Sequence, residues 1–315
     1  MQFTNIKEEI KYLNFRYELN QKLEKLVYEK GYIKVEPDYF EPYDWFINMN
    51  KRVNKNELVK LLNNDGSISI LRPDVTSNII KQVIPKIEND EIMKMFYLST
   101  TFSQRSSKRI EETKQFGVEY LGSRETADIE VMSLIMHIFE SFNKRFLLEI
   151  GNQKFIEELI RSLRINLDQE RILKSIIFDK NHPELMQFIK TQVSTEINTH
   201  LISSIFELQG SLKSILKRLE EYVINSDLKK AIEELKTLNE KLLENDNNQM
   251  ITYDLSLISK YDYYDGITFK GYLENVPTPI LSGGRYDQMT KQFGKIIPAT
   301  GFSLNLSELI KAVIT

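Results

Sequence analysis

Apolar residues at helical spacing open the chain. Ile10, Leu13, Tyr17, Leu23, Leu26 and Val27 predict an amphipathic helix over residues 5–30, and Gly31 is placed to end it in the left-handed conformation. Residues 32–37 read as a strand halted by Pro37, which has no N–H to give a central ladder. Alternation predicts further strands at 68–72, 94–99 and 116–121, and through Phe146, Leu148 and Ile150. A helix through Ile79, Ile80 and Val83 ends by Pro85. The polar run 103–114, carrying Arg105, Lys108, Arg109 and Lys114, reads as a loop between two strands. After a turn at 122–126, Thr126 suits the N-cap of a helix along Val131, Leu134, Ile135, Ile138, Phe139 and Phe142. Asp128 and Glu130 fall in its first turn, where the helix dipole favours acids.

The pattern then changes. From 153 to 247 only Pro183 and Gly210 interrupt repeated helical spacing, such as Leu228, Ile232, Leu235, Leu238 and Leu242. An all-helical module is expected over 152–249, leaving through the polar linker 245–249. Beyond it Ile251, Tyr253, Leu255 and Leu257 alternate, and strands follow at 267–273, 280–283 and 300–306. The reading is α+β: a sheet-bearing domain in two halves, 1–151 and 250–315, interrupted by a helical insertion.

Composition removes several kinds of chemistry. A chain of 315 residues, 41% hydrophobic, can bury a sizeable core. A net charge of −3 gives no global basic footprint for nucleic acid. Cysteine is absent, which excludes disulfides, thiolate metal sites and cysteine nucleophiles. The three histidines, His137, His182 and His200, lie outside the aromatic and glycine-rich segments, so neither a metal cage nor a Ser-His-Asp triad is expected there. No cofactor is expected. No apolar run nears the ~18 residues a membrane span needs and no signal peptide is seen, so the expectation is a soluble cytoplasmic protein.

The densest chemistry lies at 258–270, with Tyr261, Tyr263, Tyr264 and Phe269, the carboxylates Asp262 and Asp265, and Gly266. Elsewhere Asp74, Thr76, Gln115, Glu119 and Arg285 stand at strand ends or junctions. Singly, each has a plain structural reading. Thr76 could cap the next helix, Glu119 could face solvent by alternation, and the tyrosines could be core aromatics with satisfied hydroxyls. Gly283 and Gly284 could be no more than a tight turn.

Taken together and in order, these stretches resemble the catalytic domain of histidyl-tRNA synthetase, a class II aminoacyl-tRNA synthetase. The resemblance is carried by Leu-Arg-Pro-Asp-Val-Thr at 71–76, Gln-Phe-Gly-Val-Glu-Tyr-Leu-Gly at 115–122, Ala-Asp-Ile-Glu-Val at 127–131, Tyr-Asp-Tyr-Tyr-Asp-Gly at 261–266, Gly-Gly-Arg-Tyr-Asp at 283–287, Phe293-Gly294, and Pro-Ala-Thr-Gly-Phe at 298–302. It implies an antiparallel six- or seven-stranded sheet with flanking helices, an insertion at the helical block, and a dimer whose interface motif includes Pro37. It also implies a histidine pocket at Asp74, Thr76, Gln115, Glu119, Tyr263 and Tyr264. A carboxylate with amide and hydroxyl acceptors suits an α-ammonium, and a second carboxylate with a tyrosine hydroxyl suits imidazole nitrogens. Asp74 is a shorter acid than the glutamate usual there.

Three arginine positions depart from that family. The motif 2 arginine falls on Ser103, the motif 3 arginine on Glu308, and the histidine-specific arginine before the tyrosine pair on Ser259. A site that forms an adenylate stabilises charge at phosphate with such cations, and one position now carries an acid. The anticodon-binding domain is expected to be absent, since the chain stops at Thr315. A retained amino-acid pocket without its arginines is similar to the regulatory subunits of ATP phosphoribosyltransferase, the first enzyme of histidine biosynthesis. That resemblance implies a non-catalytic chain that activates a short-form catalytic subunit within a hetero-octamer, with histidine as feedback effector. Two other readings stay open. One is a divergent adenylating enzyme in which Arg72, Arg105, Lys108 and Arg109 replace the lost cations. The other is an RNA-binding regulator using the basic 103–114 segment, although tRNA is not the expected partner.

Overall fold

In the computed structural model, residues 5–50, 53–88, 91–104, 109–122, 124–195, 198–243, 250–259 and 261–314 are described. The chain runs α1 (Ile6–Glu29), β1 (Ile33–Lys34), β2 (Phe40–Pro42), α2 (Tyr43–Met49), β3 (Lys60–Leu62), β4 (Ile68–Leu71), α3 (Thr76–Val83), β5 (Met93–Gln104), β6 (Ile110–Leu121), α4 (Arg124–Glu140) and β7 (Phe146–Asn152). Helices follow as α5 (Gln153–Ser162), α6 (Leu167–Phe178), α7 (His182–Gln192) and α8 (Thr199–Ser203). After them come β8 (Gln209–Gly210), α9 (Leu212–Leu219), α10 (Ser226–Leu243), β9 (Ile251–Asp254), β10 (Ile267–Leu273), β11 (Leu281–Arg285), α11 (Asp287–Lys291), β12 (Ala299–Asn305) and α12 (Leu306–Ile314).

Local chemistry accounts for many of these boundaries. Asn5 caps α1 by accepting the Glu8 N–H at 3.0 Å, and Gly31 follows the helix at φ 83°. Asn166 and Gln169 form a capping box at α6. The second half of α1 is buried through Leu19, Leu23 and Val27, while Tyr12 and Phe15 of the first half pack on the core only in part. Ile10, Leu13 and Tyr17 lie exposed, so the predicted stripe divides between core and solvent.

The main sheet has the order β1-β5-β6-β12-β11-β10-β7-β9-β8, and β2-β4-β3 form a second, small sheet. From β5 to β7 every neighbouring pair is antiparallel, giving the expected six-stranded centre. Parallel pairs appear only outside it, between β1 and β5 and between β7 and β9. The two faces differ. Phe96, Phe116, Val118, Phe302 and Leu304 point into the large core shared with α1, α4, α12 and the helical block. Met95, Tyr97, Leu121 and Ala299 point the other way, into a smaller cluster with Val75, Ile79, Ile80, Tyr263 and Tyr286. The candidate site lies on this second face.

Several expectations change. The predicted polar loop at 103–114 is largely the far end of a long hairpin, with Phe102 opposite Glu112 and Gln104 opposite Ile110. Its outer residues are polar because both faces there meet solvent, which hides the alternation. Arg105 and Lys108 lie outside the described residues, as does the linker 245–249. Thr126 is inside α4, which begins at Arg124, and is not its cap. The block after β7 is not wholly helical: Gly210 of β8 pairs with Tyr253 of β9. Its apolar residues Ile156, Leu159, Leu173 and Leu235 join the same core as β7 and β10. Asn152 ties the junction by donating to the Ala231 carbonyl at 3.0 Å.

Candidate functional site

Two glycines make room for the site on the strands. A Cβ on Gly301 would sit 2.1 Å from Glu119 Oε2, and one on Gly117 would sit 2.1 Å from Tyr97 Cζ. Gly301 is opposite Glu119 in the register, and Gly117 opposite Tyr97. Both large side chains therefore lie across a neighbouring strand that lacks a side chain. Gln115 and Glu119 share one face of β6 by alternation.

Glu119 is buried, not on the solvent face that alternation alone allowed. Thr76 donates its hydroxyl to Glu119 Oε1 at 2.6 Å, and the Tyr286 hydroxyl donates to Oε2. Thr76 therefore makes no capping bond; α3 has no side-chain cap at its own N-cap residue, Val75. Asp74 serves the helix start instead, its Oδ2 accepting the Ser77 N–H at 2.8 Å. Asp74 Oδ1 accepts the Tyr263 hydroxyl at 3.2 Å. Tyr261 stacks on Tyr263 with ring centroids 5.3 Å apart and donates to the Pro73 carbonyl at 3.0 Å. Tyr264 meets Tyr263 at 4.7 Å, and its edge approaches Gly284, where a Cβ would lie 2.9 Å from Cδ1. Of the six expected pocket residues, five thus converge on one cluster; Gln115 is on the same face of β6 but four residues away, opposite Ser99 and Asn305.

The electrostatics are unusual because acids are collected without a cation in contact. Burial pushes the Glu119 carboxyl up to about 8, against the Thr76 and Tyr286 hydrogen bonds, and the nearby Asp74 charge adds to the rise. Burial likewise raises Asp74, against the bonds from Ser77 and Tyr263. Tyr97, Tyr263 and Tyr286 are pushed well above the usual phenol range, first by burial and then by these acids, so they stay protonated donors. Among the described residues no lysine, arginine or histidine nitrogen lies within 4 Å of a Glu119 or Asp74 oxygen. Such an arrangement is built to receive a cation with hydrogen-bonding protons.

The basic residues nearby are otherwise engaged. Arg72 is buried and donates to the carbonyls of Thr100 at 2.8 Å, Asp38 at 2.8 Å and Pro37, with its guanidinium 4.4 Å from the Tyr39 ring. It clips the segment before β2 to β5. Arg285 is held by Asp128 at 2.8 Å and Asp287 at 3.0 Å. Ser103 lies on β5 opposite Glu111, and Ser259 accepts the Tyr261 N–H at 3.3 Å. Glu308 begins α12 and pairs with Lys311 at 2.6 Å. The remaining loop cation that is described, Arg109, is exposed.

Sequence reasoning missed Tyr286, Tyr97 and Glu41. Tyr286 follows the end of β11, where alternation no longer assigns a face, although it belongs to the quoted Gly-Gly-Arg-Tyr-Asp motif. Gly117 is the signal that could have found Tyr97, since a strand glycine often accommodates a cross-strand neighbour. A cleft of about 620 Å³ is walled by Tyr263, Tyr264 and Asp265 on one side and by Lys154, Arg161 and Lys230 of the helical block on the other. Asp74, Thr76 and Glu119 are not in its walls, so it adjoins the acid cluster through the tyrosine pair. Among the described residues no group of three His, Asp or Glu is arranged to hold a metal ion, and no helix is long and apolar enough to cross a membrane.

Comparisons with known proteins agree with this fold. The family model described as histidyl-tRNA synthetase matches residues 12–309. The chain is 30% identical over 302 residues to an ATP phosphoribosyltransferase regulatory subunit of Bacillus mycoides, covering 94% of this chain and 71% of that one. It is 28% identical over 295 residues to the subunit of the same name in Oceanobacillus iheyensis, covering 93% and 73%. In three dimensions it is similar to an ATP phosphoribosyltransferase regulatory subunit/histidyl-tRNA synthetase from Bacillus halodurans C, with TM-score 0.85, 24% identity and coverage of 99% and 82%. A histidine–tRNA ligase subunit from Alicyclobacillus acidocaldarius gives TM-score 0.84, 21% identity and coverage of 100% and 95%. The α+β fold is therefore that of the class II synthetases of the histidyl type. The chain belongs to the histidyl-tRNA synthetase-like family of ATP phosphoribosyltransferase regulatory subunits.

Proposed function

We propose that this chain is a non-catalytic regulatory subunit that activates a short-form catalytic ATP phosphoribosyltransferase and makes it sensitive to histidine. It acts in the cytoplasm, as a dimer within a hetero-octamer, and contacts no tRNA. The observation that carries the reading is the acid cluster of Thr76–Glu119 and Asp74–Tyr263, which has cation-recognising groups and no arginine among them. Free histidine fits it by charge and by hydrogen bonding. Its α-ammonium goes to Asp74, Thr76 and Gln115, and its imidazole to Glu119 and Tyr263 with Tyr264 alongside. Each charge-assisted bond that survives desolvation contributes about 1.5–3 kcal/mol, so three at the upper end of that range reach the roughly 8 kcal/mol of micromolar binding.

Activation and inhibition then follow from one equilibrium. Bound histidine favours an arrangement of the assembly in which the catalytic partner is less active, and a coupling of about 1–3 kcal/mol gives a 5- to 150-fold change. The decisive experiment mixes the purified chain with a short-form catalytic subunit and follows phosphoribosyl transfer to ATP, with and without histidine. Activation that histidine reverses is the expected result; no activation overturns the regulatory reading. The adenylating alternative loses support from Arg72, which is buried and tied to three main-chain carbonyls, and from Glu308, an acid in the position of a phosphate-binding arginine. Pyrophosphate exchange with histidine and ATP would revive it.

A further inference from the structure

Histidine in the acid cluster brings a carboxylate as well as an ammonium and an imidazole, and the acids offer that group nothing. Ser259 stands where the histidyl family carries an arginine, so other donors have to meet it. The sheet register shows where such donors gather. Glu119 stands opposite Gly301, and two residues along the same face of β6 Gly117 stands between Tyr97 of β5 and Ser303 of β12. Two residues further is Gln115, between Ser99 and Asn305. Each step of two residues is about 7 Å, comparable to the reach of histidine from its ring to its carboxylate.

Tyr97 fills the middle of this row. A Cβ on Gly117 would lie 2.1 Å from its Cζ and 2.2 Å from its hydroxyl oxygen, so the phenol ends directly over that glycine. Along β6 it has Glu119 on one side and Gln115 on the other, and it packs in the same cluster as Tyr263 and Tyr286. Its proton is placed differently from theirs. Tyr286 and Tyr263 donate to Glu119 and Asp74. The Tyr97 hydroxyl meets Thr76, whose own proton is on Glu119, so it faces a hydroxyl and not an acid. Burial, with the Glu119 and Asp74 charges added, keeps the phenol protonated. A carboxylate is a stronger acceptor than a hydroxyl, so an arriving anion can draw this proton to itself. Ser303 and Gln115 are half-buried, and among the described residues neither side chain makes a hydrogen bond.

We infer that Tyr97, Ser303 and the Gln115 amide form the carboxylate edge of the pocket, a set of neutral donors in place of the missing arginine. The inference rests on the histidine reading above. Neutral donors suit this position, because a cation beside Glu119 and Asp74 would pair with them and compete with the ligand's own ammonium. Gln115 serves both charges, its carbonyl accepting from the ammonium and its NH2 donating to the carboxylate. Tyr97 and Ser303 reach the carboxylate from the two strands that flank Gly117.

The test is equilibrium dialysis of the full chain with L-histidine and with L-histidinol, which carries a hydroxymethyl in place of the carboxylate. The wild type should hold histidine about tenfold more tightly, or better. Tyr97→Phe should weaken histidine about tenfold and histidinol less than about twofold, closing the gap; Ser303→Ala should narrow it about threefold. Glu119→Gln, on the ring side, should weaken both ligands alike. Thermal melts report on folding, and if Tyr97→Phe does not fold, Ser303→Ala carries the comparison, where an unchanged ratio of the two affinities overturns the inference. Histidinol bound by the wild type as tightly as histidine overturns it and leaves the histidine reading standing. A folded Tyr97→Phe chain that weakens both ligands equally, or neither, does the same. No histidine bound by the wild type overturns both.

Discussion

Two groups of acids, one around Arg285 of β11 and one around Glu119 of β6, are handled in opposite ways. Asp128 and Asp287 grip Arg285, at 2.8 Å and 3.0 Å. Asp287 also accepts the Ala299 N–H at 2.9 Å, so the triad joins α4, β11 and β12. Glu119, Asp74 and Glu41 are buried and meet hydroxyls, one backbone N–H or an amide, with no cation in contact among the described residues. The first group has its counter-charge built into the chain. The second leaves that charge to something that arrives. A buried acid with its arginine is scaffolding, and a buried acid without one is where a ligand's cation belongs.

The sharpest way to break the contrast is to remove the built-in cation. Arg285→Met leaves Asp128 and Asp287 without their cation and should cost about 3–5 kcal/mol of folding stability. Urea titration measures it, and an unchanged midpoint with an unchanged slope would show that the triad is not structural. The matching change in the other group should do the reverse. Glu119→Gln keeps the shape, removes an acid that is hard to ionise, and should leave stability equal or higher. Histidine binding should weaken about tenfold to a hundredfold, as expected for a charge-assisted bond of 1.5–3 kcal/mol. Dialysis decides it; full affinity would remove Glu119 from the pocket.

This contrast was only half visible in the sequence. The family resemblance named Asp74, Thr76, Gln115, Glu119, Tyr263 and Tyr264 as one pocket, where each residue alone had a plain structural reading. Its place at a strand end made Arg285 a candidate for chemistry, when its role is to neutralise Asp128 and Asp287. Asp128 looked like an ordinary first-turn acid favoured by a helix dipole, and the partner that defines it is 157 residues away. Glu41 could not be recognised at all, since its burial depends on a three-stranded sheet with weak alternation. The exposed Phe40, Leu61 and Leu62 disguise that sheet. Strands with a clean period of two, such as β10 and β12, were legible almost to the residue. The hairpin of β5 and β6 was shortened because its outer half has no buried face to mark.

The acids without cations should also show in the pH dependence of stability. A carboxyl raised in the folded state contributes stability that is full below its unfolded value, near 4.5, and is lost as pH rises through its folded value. For Glu41 and Glu119 that folded value is about 8. Stability of the unliganded chain should therefore fall from about pH 5 to about pH 8. Each group accounts for about 2 kcal/mol of the fall between pH 6 and 8. Glu41→Gln should flatten the curve by one such share, read from urea midpoints at pH 6, 7 and 8. Burial raises Asp128 as well, with Arg285 opposing the rise, so the comparison of wild type with Glu41→Gln isolates the share of the second group. A wild-type curve level across this range would dissolve the distinction between the two groups.

The smallest expected effect comes from giving the second group a cation of its own. Ser259 is partly exposed at the edge of the tyrosine segment, its hydroxyl accepting the Tyr261 N–H. In Ser259→Arg a guanidinium at this rim can pair with the carboxylate of a bound amino acid. Because the pair stays solvated, it should contribute only about 0.2–1 kcal/mol, a gain of fivefold or less in histidine affinity. That gain should shrink as salt rises from 0.05 to 0.5 M, since exposed pairs are screened over about 10 Å or less. Pyrophosphate exchange should stay absent, because Ser103 and Glu308 still offer phosphate no positive charge. A much larger gain that salt does not touch would mean that the arginine reaches inward, to Asp74 or Glu119. In that case the acid cluster would prove able to take its counter-charge from the chain, as the Arg285 triad does, and the loss of this one arginine would account for much of the difference between the two regions.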